Sequence, residues 1–310
     1  GDNREISYVF EVSHFAGLVA PRRGPANTTI STRPCQFVFR ASSLAKRRNL
    51  GRHLRMIFAQ ITDCHVAADP EHQHNQNLRA VVKQINATEE RPRFVLASGD
   101  LANNGEPEQY EQLAEILGDL EIPIYVIPGN HDKREGLLAM HGDKGYLPTD
   151  PPYMHYAINH HPVRIIALDT KENDEHFGRL CEERLHWLSI RLAEEREQPT
   201  VIVMHHPPYE TGIRIMDKDR CLDGPDFAAI VSKSHNIERI ICGHVHRTSF
   251  TRFAGTVASI CPSTAFHLAP DMLVDCTEYR VTREPPGYQL HVWSGEAGLV
   301  THTIQVDPHE

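Results

Sequence analysis

The sequence predicts an α/β fold: a four-layer α-β-β-α sandwich of two mixed sheets flanked by helices. Two observations carry this. From Met56 onward, short continuous apolar runs alternate with helical patterns. That is how strands covered on both faces read, with the crossover helices supplying the cover. After Cys242 the alternation stops, and strand-like runs follow one another across short turns with no helix between them. These late strands are expected to form a second sheet packed on the first.

Each element has its own warrant. Met56–Ile61 is an apolar run interrupted only by Gln60, and Phe94–Ala97 is shorter but wholly apolar. Ile124–Ile127 follows Pro123 and ends in the Pro-Gly turn of Pro128 and Gly129. Val163–Leu168, Thr200–Met204 and Arg239–Cys242 complete the first series of strands. Helical patterns fall between them, at Asn75–Glu89, Glu106–Asp119, Lys133–His141, Arg179–Glu197 and Pro225–Ser234. In the fourth of these, Leu185, Leu188 and Leu192 share one face. The late strands are Thr248–Phe253, Thr256–Ile260, Gly287–Trp293 and Leu299–Ile304.

Charge divides the chain unevenly. Residues 1–55 carry ten Lys/Arg against three Asp/Glu, and the remainder carries 22 against 38. No acidic residue occurs between Val12 and Thr62. Residues 1–55 therefore read as a basic N-terminal extension, flexible by expectation, and 56–310 as the compact domain. A domain this acidic is a poor binder of long nucleic acids, whose affinity comes from Lys/Arg on phosphates. No apolar run approaches the roughly 18–20 residues that span a bilayer. Seven cysteines occur with no CxxC spacing. This argues against a disulfide framework or a thiolate zinc site and favours a reducing, cytoplasmic setting.

The strand ends carry the chemistry. In open α/β sheets, ligands bind beyond the carboxyl ends of strands. The first strand is followed by Asp63-Cys64-His65, the second by Gly99-Asp100 through Asn103, and the third by Gly129-Asn130-His131-Asp132. Thr200–Met204 is followed by His205-His206, and Arg239–Cys242 by Gly243-His244-Val245-His246. Any one of these is ordinary turn chemistry. Five together, each at a strand end, point to metal. Imidazole with carboxylate and no thiolate suits Mn, Fe, Co or Zn better than Ca or Mg. The donors exceed what one ion needs, so two divalent ions are implied. Such a pair can clamp the attacking and leaving oxygens of a phosphoryl displacement.

These five blocks, in this order, resemble the calcineurin-like metallophosphoesterase family, over about Met56 to Ile304. Within it the chain looks most like the bacterial group of class III cyclic nucleotide phosphodiesterases and glycerophosphodiesterases. The resemblance implies one ion held by Asp63, His65, Asp100 and His246, and a second by Asp100, Asn130, His205 and His244, with Asp100 bridging. It implies hydrolysis of a small phosphodiester, such as cAMP or a glycerophosphodiester, by a metal-bridging hydroxide. A phosphomonoesterase or a nuclease on the same scaffold is the alternative. His131 would contact the phosphate and protonate the leaving oxygen, with Asp132 accepting a hydrogen bond from its ring. Asn103, His206 and His267 are further candidates for the substrate side, and His206 is read as lying behind the ligands. Relatives of this group carry a histidine where an ungapped match puts Phe266, with His267 one place later. Cys64 is expected to point into the core, and Asp169 to cap a loop. The pocket wall is expected from His141–Tyr153 and Glu210–Asp223, and a homo-oligomer is among the expectations.

Overall fold

The computed structural model describes residues 55–148, 152–272 and 278–308. The basic stretch 1–54 lies outside the described residues. In chain order the elements are β1 (Arg55–Ile61), α1 (Gln73–Asn86), β2 (Val95–Ser98), α2 (Pro107–Gly118), β3 (Ile124–Ile127), α3 (Arg134–His141), β4 (Tyr156–Ile158) and β5 (Arg164–Leu168). There follow α4 (Glu182–Glu194), β6 (Thr200–Met204), α5 (Arg214–Asp217), α6 (Gly224–Val231), β7 (Ile237–Cys242), β8 (Ser249–Phe253) and β9 (Thr256–Ile260). The last are β10 (His267–Leu268), β11 (Val281–Thr282), β12 (Gly287–Ser294) and β13 (Gly298–Gln305).

Two mixed sheets form the middle of the sandwich, as the sequence predicts. One has the order β13-β12-β1-β2-β3, and the other β4-β5-β6-β7-β9-β8. Strands β1, β2 and β3 run parallel, as do β5, β6 and β7. Alternation along β5 and β6 shows why both faces are apolar. Ile165, Ala167, Val201 and Val203 join a core with Phe58, Ala97 and Val126 of the other sheet. Their neighbours Ile166, Leu168, Ile202 and Met204 pack instead with Leu188 and Leu192 of α4 and Phe227 of α6. On the opposite side, Leu78 and Val82 of α1 and Leu113 and Leu117 of α2 close the first core. No described helix is long and apolar enough to cross a membrane.

One expectation is corrected here. The late strands do not make a sheet of their own. Strands β8 and β9 extend the β5–β7 sheet, whereas β12 and β13 cross to the other sheet. The reason lies in β1, whose far edge would otherwise leave a row of backbone donors and acceptors unpaired. β12 pairs along that edge from Arg55↔Ser294 to Gln60↔Gln289. Gln60, the one polar residue inside the first strand, is buried and joins the sheets. Its Nε2 donates to Ser98 Oγ at 2.8 Å and to the Cys242 carbonyl at 3.0 Å.

Candidate metal centre

Asp63 and His65 leave the end of β1 alongside the turn that follows β2. The Asp63 amide donates to the Gly99 carbonyl and the His65 amide to the Asp100 carbonyl, each at 3.0 Å. Across the sandwich, the Gly243 amide donates to the His205 carbonyl at 3.0 Å. Asp63, His65, Asp100 and Asn130 thus come from one sheet, and His205, His244 and His246 from the other.

The backbone at these positions is unusual. Asp63, His65, Asp100, His244 and His246 all have positive φ, between 43° and 73°. Left-handed backbone is uncommon for residues with a side chain, and it concentrates where a site over-determines the conformation. It turns each side chain out of the strand alternation and toward a common point. Cys64, between two of them, is fully buried in the core as expected. Gly99 (φ 97°) sits where a Cβ would strike the His205 ring, and a Cβ on Gly129 would strike Asp100.

The donor atoms converge. Asp63, His65 and His246 form one group whose ligand atoms lie within 4.8 Å of one another, and Asp63, Asp100 and His205 form another. His65 Nε2 faces His246 Nε2 at 3.1 Å, and His246 Nε2 is 3.4 Å from Asp63 Oδ1. His205 Nε2 is 3.3 Å from Asp100 Oδ2, and His244 Nδ1 is 3.1 Å from Asn130 Oδ1. Bonds of about 2.0–2.1 Å to a shared ion put neighbouring donors on the order of 3 Å apart. His205 Nε2 is buried without a hydrogen-bond partner, which is what a ligating nitrogen requires. The far ring nitrogens are fixed by the protein. His205 Nδ1 donates to the Ser98 carbonyl at 2.8 Å, and His246 Nδ1 to the Phe266 carbonyl at 2.9 Å.

Electrostatics agree with the geometry. Burial holds His65 and His244 well below the usual imidazole range and His246 down at about 3, so these rings are neutral donors. Burial alone would lower His205 as well, but the Asp100 carboxylate beside it lifts it to about 9. Burial pushes Asp63 up to about 7. Asp100 goes the other way despite its burial, because His205, His131 and His65 surround it. Acidic and imidazole side chains packed this closely, and lifted at Asp63 and His205 toward their protonated forms, draw positive charge to the centre, and the residues fit divalent cations.

The remaining predicted residues separate into those at the centre and those behind it. A ring nitrogen of His131 joins the ligand atoms of His65 and Asp100 within 4.8 Å. Its Nδ1 donates to the Asn103 backbone carbonyl at 2.6 Å, so Asn103 positions His131 through its main chain. The expected bond from His131 to Asp132 is absent, which is a correction. The buried Asp132 carboxylate instead accepts the amides of Ala102 at 3.0 Å, Gly129 at 2.9 Å and Leu101 at 3.1 Å. Those amides stand at strand ends with no ladder partner, and the nearest carboxylate takes them.

His206 does not offer a free ring nitrogen. Its Nε2 donates to the His176 carbonyl at 3.1 Å, and its Nδ1 accepts from Thr170 Oγ1 at 2.8 Å. His267 belongs to none of the close groups of ligand atoms; its charged neighbours are Glu284 and Arg247. Phe266 takes the place beside the centre, with its ring 4.3 Å from His246 and 5.4 Å from His65. Asp169 is the loop holder expected, accepting from Arg134, the Met154 amide and the Lys171 amide.

The cleft beside Asn130 and His131 has a volume of about 510 Å³ and is walled by Lys133, Arg134, Lys171 and His176. No described residue of 141–153 or 210–223 lines this cleft. Lys171 and His176 escaped the sequence reading. Their segment follows the end of β5, and β5 is parallel to ligand-bearing β6, so its carboxyl end opens on the same side.

The calcineurin-like phosphoesterase pattern matches residues 56–248. A probable glycerophosphodiester phosphodiesterase (GpdQ) of Arcobacter nitrofigilis is 32% identical over 261 residues, covering 82% of this chain and 95% of the relative. A probable cyclic nucleotide phosphodiesterase of Synechococcus is 33% identical over 218 residues, covering 69% of this chain and 83% of the relative. Among solved structures, a dimetal phosphatase of Danio rerio superposes with a TM-score of 0.60 at 14% identity. That likeness covers 81% of this chain and 99% of the other, and it speaks to fold alone. With the two-sheet sandwich, the His/Asp centre between the sheets and a family match over more than half its length, this chain belongs to the calcineurin-like phosphoesterases and is a metal-dependent hydrolase.

Proposed function

We propose that the protein is a binuclear metal-dependent phosphodiesterase acting on small phosphodiesters, cyclic nucleotides such as cAMP or glycerophosphodiesters. The observation that supports this most is the close approach of donor atoms of Asp63, His65, Asp100, His205, His244 and His246 from two sheets, with Asn130 Oδ1 beside His244 Nδ1 and His205 Nε2 left unpartnered. In this reading Asp63, His65, Asp100 and His246 hold one ion and Asp100, Asn130, His205 and His244 the other, with Mn, Fe, Co or Zn as the metals. Two such ions supply Lewis-acid activation of water and neutralise charge on the phosphoryl oxygens.

The chain's own residues do the rest. His131 has Nδ1 committed to the Asn103 carbonyl, which leaves Nε2 to hold the proton that passes to the departing alkoxide. The His131 amide donates to Asp100 Oδ1 at 2.9 Å and so fixes the carboxylate that would bridge. Phe266 covers the His65 and His246 rings and restricts water on that side. Small diesters are favoured by the acidic balance of residues 56–310 and by the names of the relatives. The described free thiols, Cys64 and Cys242 among them, suit the cytoplasm as its location.

The test is a substrate panel on protein reconstituted separately with Mn, Fe, Co and Zn. It compares cAMP, a glycerophosphodiester, AMP and single-stranded DNA. Preference for either small diester supports the reading. Faster turnover of AMP or of DNA overturns it in favour of a monoesterase or a nuclease.

A further inference from the structure

Asn130 is held at three atoms, and two of the holders come from one segment that the reading above leaves without a role. Its Oδ1 faces His244 Nδ1 at 3.1 Å. Its Nδ2 faces His176 Nδ1 at 3.4 Å, and its backbone carbonyl accepts from Lys171 Nζ at 2.8 Å. We infer that Lys171 and His176 are positioning residues for Asn130, selecting the amide orientation that presents oxygen to the second ion. This rests on the two-ion reading.

The argument turns on the asymmetry of an amide. Its two ends have almost the same shape, but only the oxygen carries lone pairs for a cation. A rotation of half a turn would put the NH2 donors toward the ion, where they repel it. It would also set Oδ1 against the acceptor nitrogen of His176. With His176 Nδ1 accepting from Nδ2, the ligating orientation is the one in which both ends are satisfied. Lys171 fixes the main chain of the same residue with an ammonium, a strong donor to a carbonyl.

The segment itself is anchored from behind. Lys171 and Gly178 form a bridge that closes it into a short loop, and the Arg179 amide donates to the Thr170 carbonyl at 2.9 Å. His206 pins both ends of the loop. One ring nitrogen takes the Thr170 hydroxyl and the other donates to the His176 carbonyl. Gly178 packs so closely on the His206 ring that a Cβ there would overlap it. The second histidine of the pair after β6 therefore serves the centre indirectly, by holding the loop that holds Asn130.

The experiment is a calorimetric titration of the metal-free full chain with Mn2+, comparing wild type, His176→Leu, His176→Gln and Lys171→Met. His176 is exposed and Lys171→Met keeps the aliphatic stem, so the fold is retained, as thermal melts will check. The expected result is a second, weaker Mn2+ site reduced about 10- to 100-fold in affinity in His176→Leu and Lys171→Met. The first site should stay unchanged, and His176→Gln, which restores an acceptor, should recover most of the loss. Second-site affinities within threefold of wild type in both variants overturn the inference. A wild type that takes up only one ion overturns it together with the two-ion reading. If wild type binds two ions and hydrolyses no diester, the proposed activity fails and the variant affinities still decide this inference.

Discussion

Asp132 accepts the Ala102 amide at 3.0 Å, a bond between the turn after β3 and the turn after β2. With the Leu101 and Gly129 amides on the same carboxylate, it fixes the turn from which Asp100 projects. Asp132→Asn puts NH2 donors against backbone donors in a buried place. Urea unfolding should show a loss of about 2–3 kcal/mol. A loss under about 1 kcal/mol would show that this carboxylate does not hold the turn.

In the proposed reading His131 faces the substrate and does not ligate. His131→Ala should keep two ions per chain by elemental analysis and lower kcat for bis(p-nitrophenyl) phosphate about 100-fold. Loss of metal in this variant would mean that its role is ligation.

Asp100 combines charge with left-handed backbone at φ 53°. Asparagine tolerates that conformation, so Asp100→Asn removes charge while keeping the turn. Metal content should fall below one ion per chain and diester hydrolysis should fall to background. Retention of both ions by Asp100→Asn would rule out the bridging role.

His291 is buried on β12, stacked 4.7 Å from Phe58, with Nε2 at 3.1 Å from Gln60 Oε1. Burial lowers it from 6.5 to about 3. The unfolded chain therefore binds a proton between those values that the folded chain refuses. Stability from this residue is intact above pH 6.5 and is lost progressively as the pH falls toward 3. Between pH 7 and pH 5 the loss is about 2 kcal/mol. Comparing urea midpoints for wild type and His291→Gln at both pH values should show a pH penalty smaller by that amount in the variant.

Arg134 meets Asp169 through two bonds, at 2.6 and 3.1 Å, and Asp169 is wholly buried. Asp169→Ala leaves a guanidinium and two amides without their partner. Equilibrium unfolding should report about 3 kcal/mol or more of destabilisation. A loss under 1 kcal/mol would show that water replaces the carboxylate.

The parallel strands and their ends were legible because an apolar run and a polar turn are both local signals. Asp63, His65, Asp100, Asn130, His205, His244 and His246 follow those strand ends, and their side chains lie close together. What escaped depends on contacts far along the chain. The partition of β8, β9, β12 and β13 between sheets is settled by which strand edges lie open, and no local window contains that. Asp132 was misassigned because adjacency in sequence to His131 suggested contact. Their side chains take different partners: Asp132 turns to the amides of Leu101, Ala102 and Gly129, and His131 finds the Asn103 carbonyl. Lys171 and His176 lie in a polar stretch with no periodicity to mark them. Only the parallel direction of β5 tells that this stretch reaches the centre.

The division of the ligands between two sheets has a mechanical side. The distance from His205 Nε2 to Asp100 Oδ2 is also a measure of how one sheet is seated on the other. A substitution at the interface, for example at Gln60 where β1 reaches the Cys242 carbonyl, need only let the layers slip by a fraction of an ångström to spread the donor atoms. Ion affinity would then register the slip while the global melting curve barely moved. The centre is in this sense a gauge built across a seam, and its readings report on packing well away from the substrate.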